Sequence, residues 1–144
     1  MESRVMSIIM KRGTDPDSVR RAVAAKVPGS IVQTVRGDAA TNGFCIEMIA
    51  AQTLRANGTQ NMLARRPEVD LLLRLAGTTQ ISRAIDQMGA KKGMPFLLVV
   101  AGPRKELDSL SLKDLGGVEL GSRGLSYDEL RIIERAALLN AQNP

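Results

Sequence analysis

Apolar residues recur along this chain with two different periods, and the switches between them mark out its elements. Arg4 to Met10 carries Val5, Ile8 and Ile9 as β-branched bulk and predicts a first strand. Gly13-Thr14 turns the chain. Asp15 followed by Pro16 is then a helix start, because a carboxylate caps free amides and proline needs no partner for an amide it lacks. Val19, Ala22, Val23 and Val27 form the inner stripe of that helix, and Pro28-Gly29 ends it. Ser30 to Arg36 sets Ile31 and Val35 against Val32 and Thr34, which predicts a strand with one face better buried. A helix follows from about Asn42 to Ala56, with Cys45, Met48, Ile49 and Leu54 inward, and Asn57-Gly58 closes it. Asn61 to Arg66 is a short connector. Phe96 to Ala101 is an unbroken apolar run of strand length, which predicts a central strand covered on both faces.

The pattern weakens from Gly102 to Leu125. Leu107, Leu110, Leu112 and Leu115 support one or two short helical turns. Gly116-Gly117, Gly121 and Gly124 predict loop. They form no phosphate-binding loop, since the Gly-Lys-Ser/Thr ending is missing. Ser126 with Glu129 is a capping box that opens a final helix, Tyr127 to Ala141. No repeat and no linker divides the chain. The expectation is an α+β fold: a single compact domain over residues 1–144, with a small sheet of about three strands packed with five or six helices. Strand directions stay open.

The most distinctive stretch is Val69 to Lys91. Val69, Leu72, Leu73 and Ala76 repeat at helical spacing, and so do Ile81, Ala84, Ile85 and Met88. Gly77 sits where a helix ends in the left-handed conformation that glycine adopts cheaply, with Thr78 or Thr79 as the next N-cap and Gly89 as the second stop. Periodicity alone supports an αα-corner packed on a core.

The residues themselves go further. Asp70-Leu71-Leu72-Leu73-Arg74-Leu75-Ala76-Gly77-Thr78-Thr79-Gln80-Ile81-Ser82-Arg83-Ala84-Ile85, followed by Met88-Gly89-Ala90-Lys91, resembles the central segment of the TPRKB family. These are the small kinase-binding subunits of the KEOPS complex of archaea and eukaryotes. Asp70, Arg74, Gly77, Gln80, Ile81, Ala84, Ile85 and Gly89 match the family pattern without a gap; the rest of the chain fits in length and element order. The resemblance implies a non-catalytic accessory subunit that binds and regulates the KEOPS protein kinase. It also implies help in recruiting transfer RNA, by its CCA end, for threonylcarbamoylation of the adenosine beside the anticodon. ATP and the transferase's metal would belong to other subunits.

Composition narrows the chemistry. The 144 residues are 44% hydrophobic but only 2% aromatic, so the core must be aliphatic, with seven Met. The absence of histidine removes the commonest general base and metal ligand, and with it Ser-His-Asp, Cys-His and histidine zinc sites. Cys45, the single cysteine, allows no internal disulfide and falls on an apolar helical face. Asp15 and Asp17 are explained by helix capping, and Glu68 and Asp70, two apart, point in different directions. The expectation is no active site, no cofactor and no metal. No apolar run is long enough to span a bilayer, so the expected setting is soluble and cytoplasmic, without membrane contact. The formal charge of +5 and a pI of about 9.9 favour acidic partners, nucleic acid first. Phe44, Phe96 and Tyr127 are too few for an aromatic stacking platform.

Two candidate surfaces follow. On the final helix, Leu130, Ile132, Ile133, Ala136, Ala137 and Leu139 cover about half the circumference, whereas a core contact needs a stripe of ~100°. Either a neighbouring element covers the surplus, or one half is a partner surface. The resemblance favours the second, since TPRKB-like proteins bind the small lobe of their kinase through the terminal helical region. Leu130, Ile133 and Ala137 are then expected to face the core, and Ile132, Ala136 and Leu139 the kinase. The other candidate is the basic set Arg65, Arg66, Arg74, Arg83, Lys91 and Lys92. Read from charge alone it is a solvated face. The resemblance assigns transfer RNA contacts to Arg65, Arg74, Arg83 and Lys91, with Met88 and Ile81 beside the Gly77 and Gly89 backbone accommodating unstacked bases. The alternative reading is an independent basic RNA-binding module with no kinase partner. The chain's own oligomeric state stays open.

Overall fold

The computed structural model describes residues 2–39 and 41–142. Strands β1 (Ser3–Met10), β2 (Ile31–Arg36), β3 (Phe96–Pro103) and β4 (Val118–Glu119) form one antiparallel sheet in the order β2-β3-β1-β4. The unbroken apolar run is the central strand: Phe96 to Gly102 are all buried. Alternation along β3 divides the core in two. Phe96, Leu98 and Val100 join Met6, Ile8, Met10 and Val32 on one face, against Val23 and Val27 from helix α1 (Pro16–Lys26) and its end, and Leu107 from the single-turn α5 (Arg104–Leu107). Leu97, Val99 and Ala101 join Ile31 and Val35 on the other. That face carries α2 (Gly43–Ala56), α3 (Pro67–Ala76), α4 (Ile81–Met88) and α7 (Tyr127–Gln142). The remaining turn of helix is α6 (Leu112–Leu115).

Seven helices form among the described residues instead of the expected five or six, α5 and α6 being single turns. The α+β class is as read from the pattern, with three further differences. The sheet has four strands among the described residues, not three. The fourth, β4, spans only two residues, with Val118 exposed, and such a length leaves no alternation to read. Second, β2 is buried on both sides, at Ile31, Val32, Thr34 and Val35, because helices cover both faces of the sheet. Third, Met48 is 37% exposed, since it lies on the side of α2 away from Ile46, Ile49 and Ala50.

The Asp15-Pro16 start signal acts as written, and Asn42, read only as a helix boundary, is a cap as well. Asp15 Oδ2 accepts from the Ser18 amide at 3.1 Å and from its hydroxyl at 2.6 Å, capping α1. Asn42 Oδ1 accepts from the Phe44 amide at 3.1 Å, capping α2. The outer edge of β2 is closed locally: Thr34 donates its amide to Gln33 Oε1, and Gly89 forms a bridge with Val35.

Candidate functional site

The αα-corner forms at the predicted place. Gly77 adopts the left-handed conformation with φ of 71°, and its amide donates to Leu73 O at 2.8 Å. The Arg135 side chain occupies the space a Cβ would need there, so a larger residue would be strained by the backbone conformation and would also have to push Arg135 aside. The N-cap of α4 is Gln80 rather than Thr78 or Thr79. Thr78 acts one step earlier, its hydroxyl accepting from the Gln80 amide at 3.1 Å and shaping the connector.

The structure removes Arg74 from the surface. Asp70 and Arg74 lie one turn apart on α3 and are 0% and 2% exposed. Arg74 Nε donates to Asp70 Oδ1 at 2.7 Å, and Nη2 to Oδ2 at 3.2 Å, a forked pair. Asp70 also accepts from Thr53 Oγ1 at 2.7 Å and the Leu63 amide at 2.9 Å. Arg74 donates further to the Ala136 and Asn61 carbonyls, both at 3.3 Å. One ion pair thus ties together α2, the connector, α3 and α7. Arg74 is a structural residue rather than an exposed phosphate contact, because it is buried and its Nε, Nη1 and Nη2 are all taken up by Asp70 and the Ala136 and Asn61 carbonyls. The signal was present in the sequence: Leu71 to Leu75 is apolar apart from Arg74, and a helix buried all round can hold a charge only if it is paired.

The opposite holds for α4. Its expected inner stripe is largely outside: Ile81 is 49% and Ile85 53% exposed, and only Ala84 of this helix is buried. The reason is placement. Helix α4 packs mainly on α3, at the margin of the helical layer, so one stripe residue suffices for the contact. Ile85 instead lines a shallow groove with Val69, Leu72, Gln33, Thr34 and Gly89. Met88 is half-buried against the core.

The other basic candidates are exposed but dispersed along the fold. Arg65 sits on the connector before α3, Arg83 on α4, and Lys91 on the turn into β3. Lys91 lines a separate depression with Ile9, Arg36, Asp38, Met94 and Pro95. Arg66 is engaged by Glu68 at 2.7 Å.

The halves of α7 are also reassigned. Ala136 and Leu139 are 0% exposed, and Ile132 and Ile133 are both half-buried in the core. Leu130 and Leu138 are 51% and 53% exposed, and Ala137 is exposed too. Ala136 and Leu139 therefore belong to the fold and cannot form a kinase-facing surface; Ile132 is largely covered with them. The cause is that α7 lies across two helices. Gln52 Nε2 of α2 donates to Ile133 O at 3.0 Å, and Arg135 Nη2 donates to Leu75 O at the end of α3 at 3.1 Å. Two neighbours cover a wider arc than one.

The capping box forms as expected: Glu129 donates its amide to Ser126 Oγ at 3.2 Å, and Ser126 its amide to Glu129 Oε1 at 2.9 Å. The Ser126 amide, then its hydroxyl, Asn42 and Arg123, hold the Glu129 carboxyl down at about 2. Cys45 is buried, and burial raises its thiol above the ordinary value, which disfavours the nucleophilic thiolate. No described helix is long and apolar enough to cross a membrane. No family model matches the chain, and no curated protein matches it in sequence.

Proposed function

We propose that this chain is a non-catalytic accessory subunit of the KEOPS type, which binds and regulates the complex's protein kinase and helps recruit the CCA end of transfer RNA. The observation that carries the reading is how the family-like segment divides. Asp70, Arg74 and Gly77 are spent on the fold: two form the buried pair and one the turn. Gln80, Ile81 and Ile85 match the same pattern yet are exposed, where an isoleucine does little for stability. Two isoleucines shown to solvent on a helix that also carries Arg83 suit a partner that brings both apolar surface and phosphate. Arg83 and Lys91 would neutralise phosphates, and Ile81 and Ile85 would cover unstacked bases.

The kinase contact in this proposal lies on the outward side of α7, at Leu130 and Leu138. Both are large, apolar and half exposed, and a helix laid against a partner groove uses such anchors. The test is reconstitution with a KEOPS protein kinase and a transfer RNA transcript. Leu130→Arg with Leu138→Arg should abolish co-elution with the kinase and leave RNA binding intact. Arg83→Glu with Ile85→Glu should do the reverse. Removing the CCA end should weaken RNA binding of the unmodified chain. Kinase binding that survives the α7 double change sinks the assigned surface. RNA binding with no kinase binding at all supports the independent RNA-binding module instead, a reading that the net charge of +5 favours.

A further inference from the structure

The chain contains two Asn-Gly pairs, Asn42-Gly43 and Asn57-Gly58, in opposite surroundings. Asn-Gly is the dipeptide most open to attack of the following amide nitrogen on the side-chain carbonyl, because glycine puts no side chain in the way. We infer that Asn57 is a site of spontaneous deamidation and isoaspartate formation in the folded protein, and that Asn42 is protected.

Asn42 is 0% exposed and its amide is fully engaged. Its Nδ2 donates to Arg123 O and Glu129 Oε1, both at 3.3 Å, and its Oδ1 accepts from the Phe44 and Arg123 amides, both at 3.1 Å. The nucleophile is occupied as well, since the Gly43 amide donates to Gly121 O at 2.8 Å. Asn57 is the reverse case. It is exposed at the C-terminal end of α2, and its side chain makes no hydrogen bond among the described residues. The Gly58 amide has none either, and nothing lies within 4 Å of where a Gly58 Cβ would stand. The Asn57 ψ of 127° must swing to bring the Gly58 nitrogen onto the side-chain carbon; this breaks the turn's hydrogen bonds from the Thr59 amide and hydroxyl to Ala56 O, at 2.9 and 2.6 Å, but displaces no packed side chain of the exposed Asn57 and Gly58.

In the reaction the Gly58 nitrogen bonds to the Asn57 side-chain carbonyl carbon, the carbon–nitrogen bond of the side-chain amide breaks, and ammonia leaves. Water then opens the cyclic imide at either carbonyl, giving aspartate or isoaspartate. Both products place a negative charge at a helix C-terminus, where the backbone dipole disfavours it. Isoaspartate also lengthens the main chain by one carbon. It does so at the head of the connector whose Asn61 carbonyl and Leu63 amide hold the buried Arg74–Asp70 pair. The product is of the class that carboxyl-methylating repair enzymes take.

The test is incubation of the intact folded protein at 37 °C and mildly alkaline pH, with peptide mapping by mass. A parallel sample is kept unfolded in guanidinium chloride. In the folded sample Asn57 should convert, mostly to isoaspartate, and Asn42 should be at least ~10-fold slower; a tenfold ratio is only ~1.4 kcal/mol of protection by the cap. In the unfolded sample the two should convert at similar rates. Asn57→Gln should remove the acidic species that accumulate in the folded sample. Equal conversion of both sites in the folded chain overturns the inference. So does an Asn57 that stays intact while the unfolded control reacts.

Discussion

Replacing Arg74 with methionine keeps most of the side chain's volume and removes its charge and all its donors. The Asp70 carboxylate then stays behind at 0% exposure, with Thr53 and Leu63 as its remaining partners. The Ala136 and Asn61 carbonyls each lose a donor as well. Stranding one member of a buried ion pair costs ~3–5 kcal/mol. Against a typical domain stability of ~5–15 kcal/mol, that is a large fraction. For a chain of this size it corresponds to a fall in melting temperature of roughly 10–15 °C. The assay is urea unfolding followed by circular dichroism, with Arg83→Glu as the exposed comparison, which should stay within ~0.5 kcal/mol of the unmodified chain. Adding Asp70→Asn to Arg74→Met removes the stranded charge, so the double variant should lose less than the two single losses added together. An Arg74→Met variant that unfolds within ~1 kcal/mol of the parent would show that the pair carries no more than an exposed one does.

Four further outcomes follow from the same geometry. Leu139→Arg should unfold the domain or cost several kcal/mol, whereas Leu138→Arg, one residue away, should melt normally; thermal melts of the two settle which half of α7 is core. Ser126→Ala removes the hydroxyl that accepts from Glu129 and should cost ~1 kcal/mol in urea unfolding. Glu129 has a folded value of about 2 against 4.5 ordinarily, so it binds its proton more readily when unfolded. Its stabilising contribution is therefore complete above about 4.5 and disappears as pH falls towards 2, and Glu129→Gln should flatten that part of the urea midpoint–pH curve. If the proposed function holds, transfer RNA binding should weaken with salt at a slope of ~0.7 per single-stranded phosphate neutralised, and Arg83→Glu should lower the slope, read by titration at three salt concentrations.

Local chemistry was the legible part of the sequence. Asp15-Pro16, Asn42, Gly77 and the Ser126–Glu129 box place element ends through interactions within a few residues, so no tertiary information is needed. The Phe96–Ala101 run was legible for a different reason: its strand length and unbroken apolar character fit a strand covered on both faces. What failed was direction around a helix. The apolar arc of α7 is wide enough to fit either orientation, and the choice depends on α2 and α3 both reaching it, through Gln52 and Leu75. The same limit applied to α4, whose stripe matches a buried helix although one residue, Ala84, makes the contact. Charge was the second failure. Residue type alone groups Arg74 with Arg65 and Arg83, whereas the apolar run around it and the acid one turn earlier favour a buried pair.

The division of the αα-corner into an inner and an outer helix also bears on how it could serve a partner. A surface that binds without reordering must be held from behind. Helix α3 is held by the Asp70–Arg74 pair, which reaches three other segments. Helix α4 is held at both ends: at its start by the Gly77–Thr78 turn, and at its finish by Arg36, whose Nη1 donates to Gln87 O at 3.1 Å, and by the Gly89 bridge to Val35. These anchors fix the backbone that carries Ile81 and Ile85 while leaving about half of each side chain exposed. Binding there would then lose side-chain freedom but little backbone freedom, which keeps more of the contact energy as affinity. Loosening the support, rather than altering the isoleucines, should therefore weaken a partner's binding as well. In the proposed function the buried ion pair fixes the helix pair, and the exposed stripe is what would meet the partner.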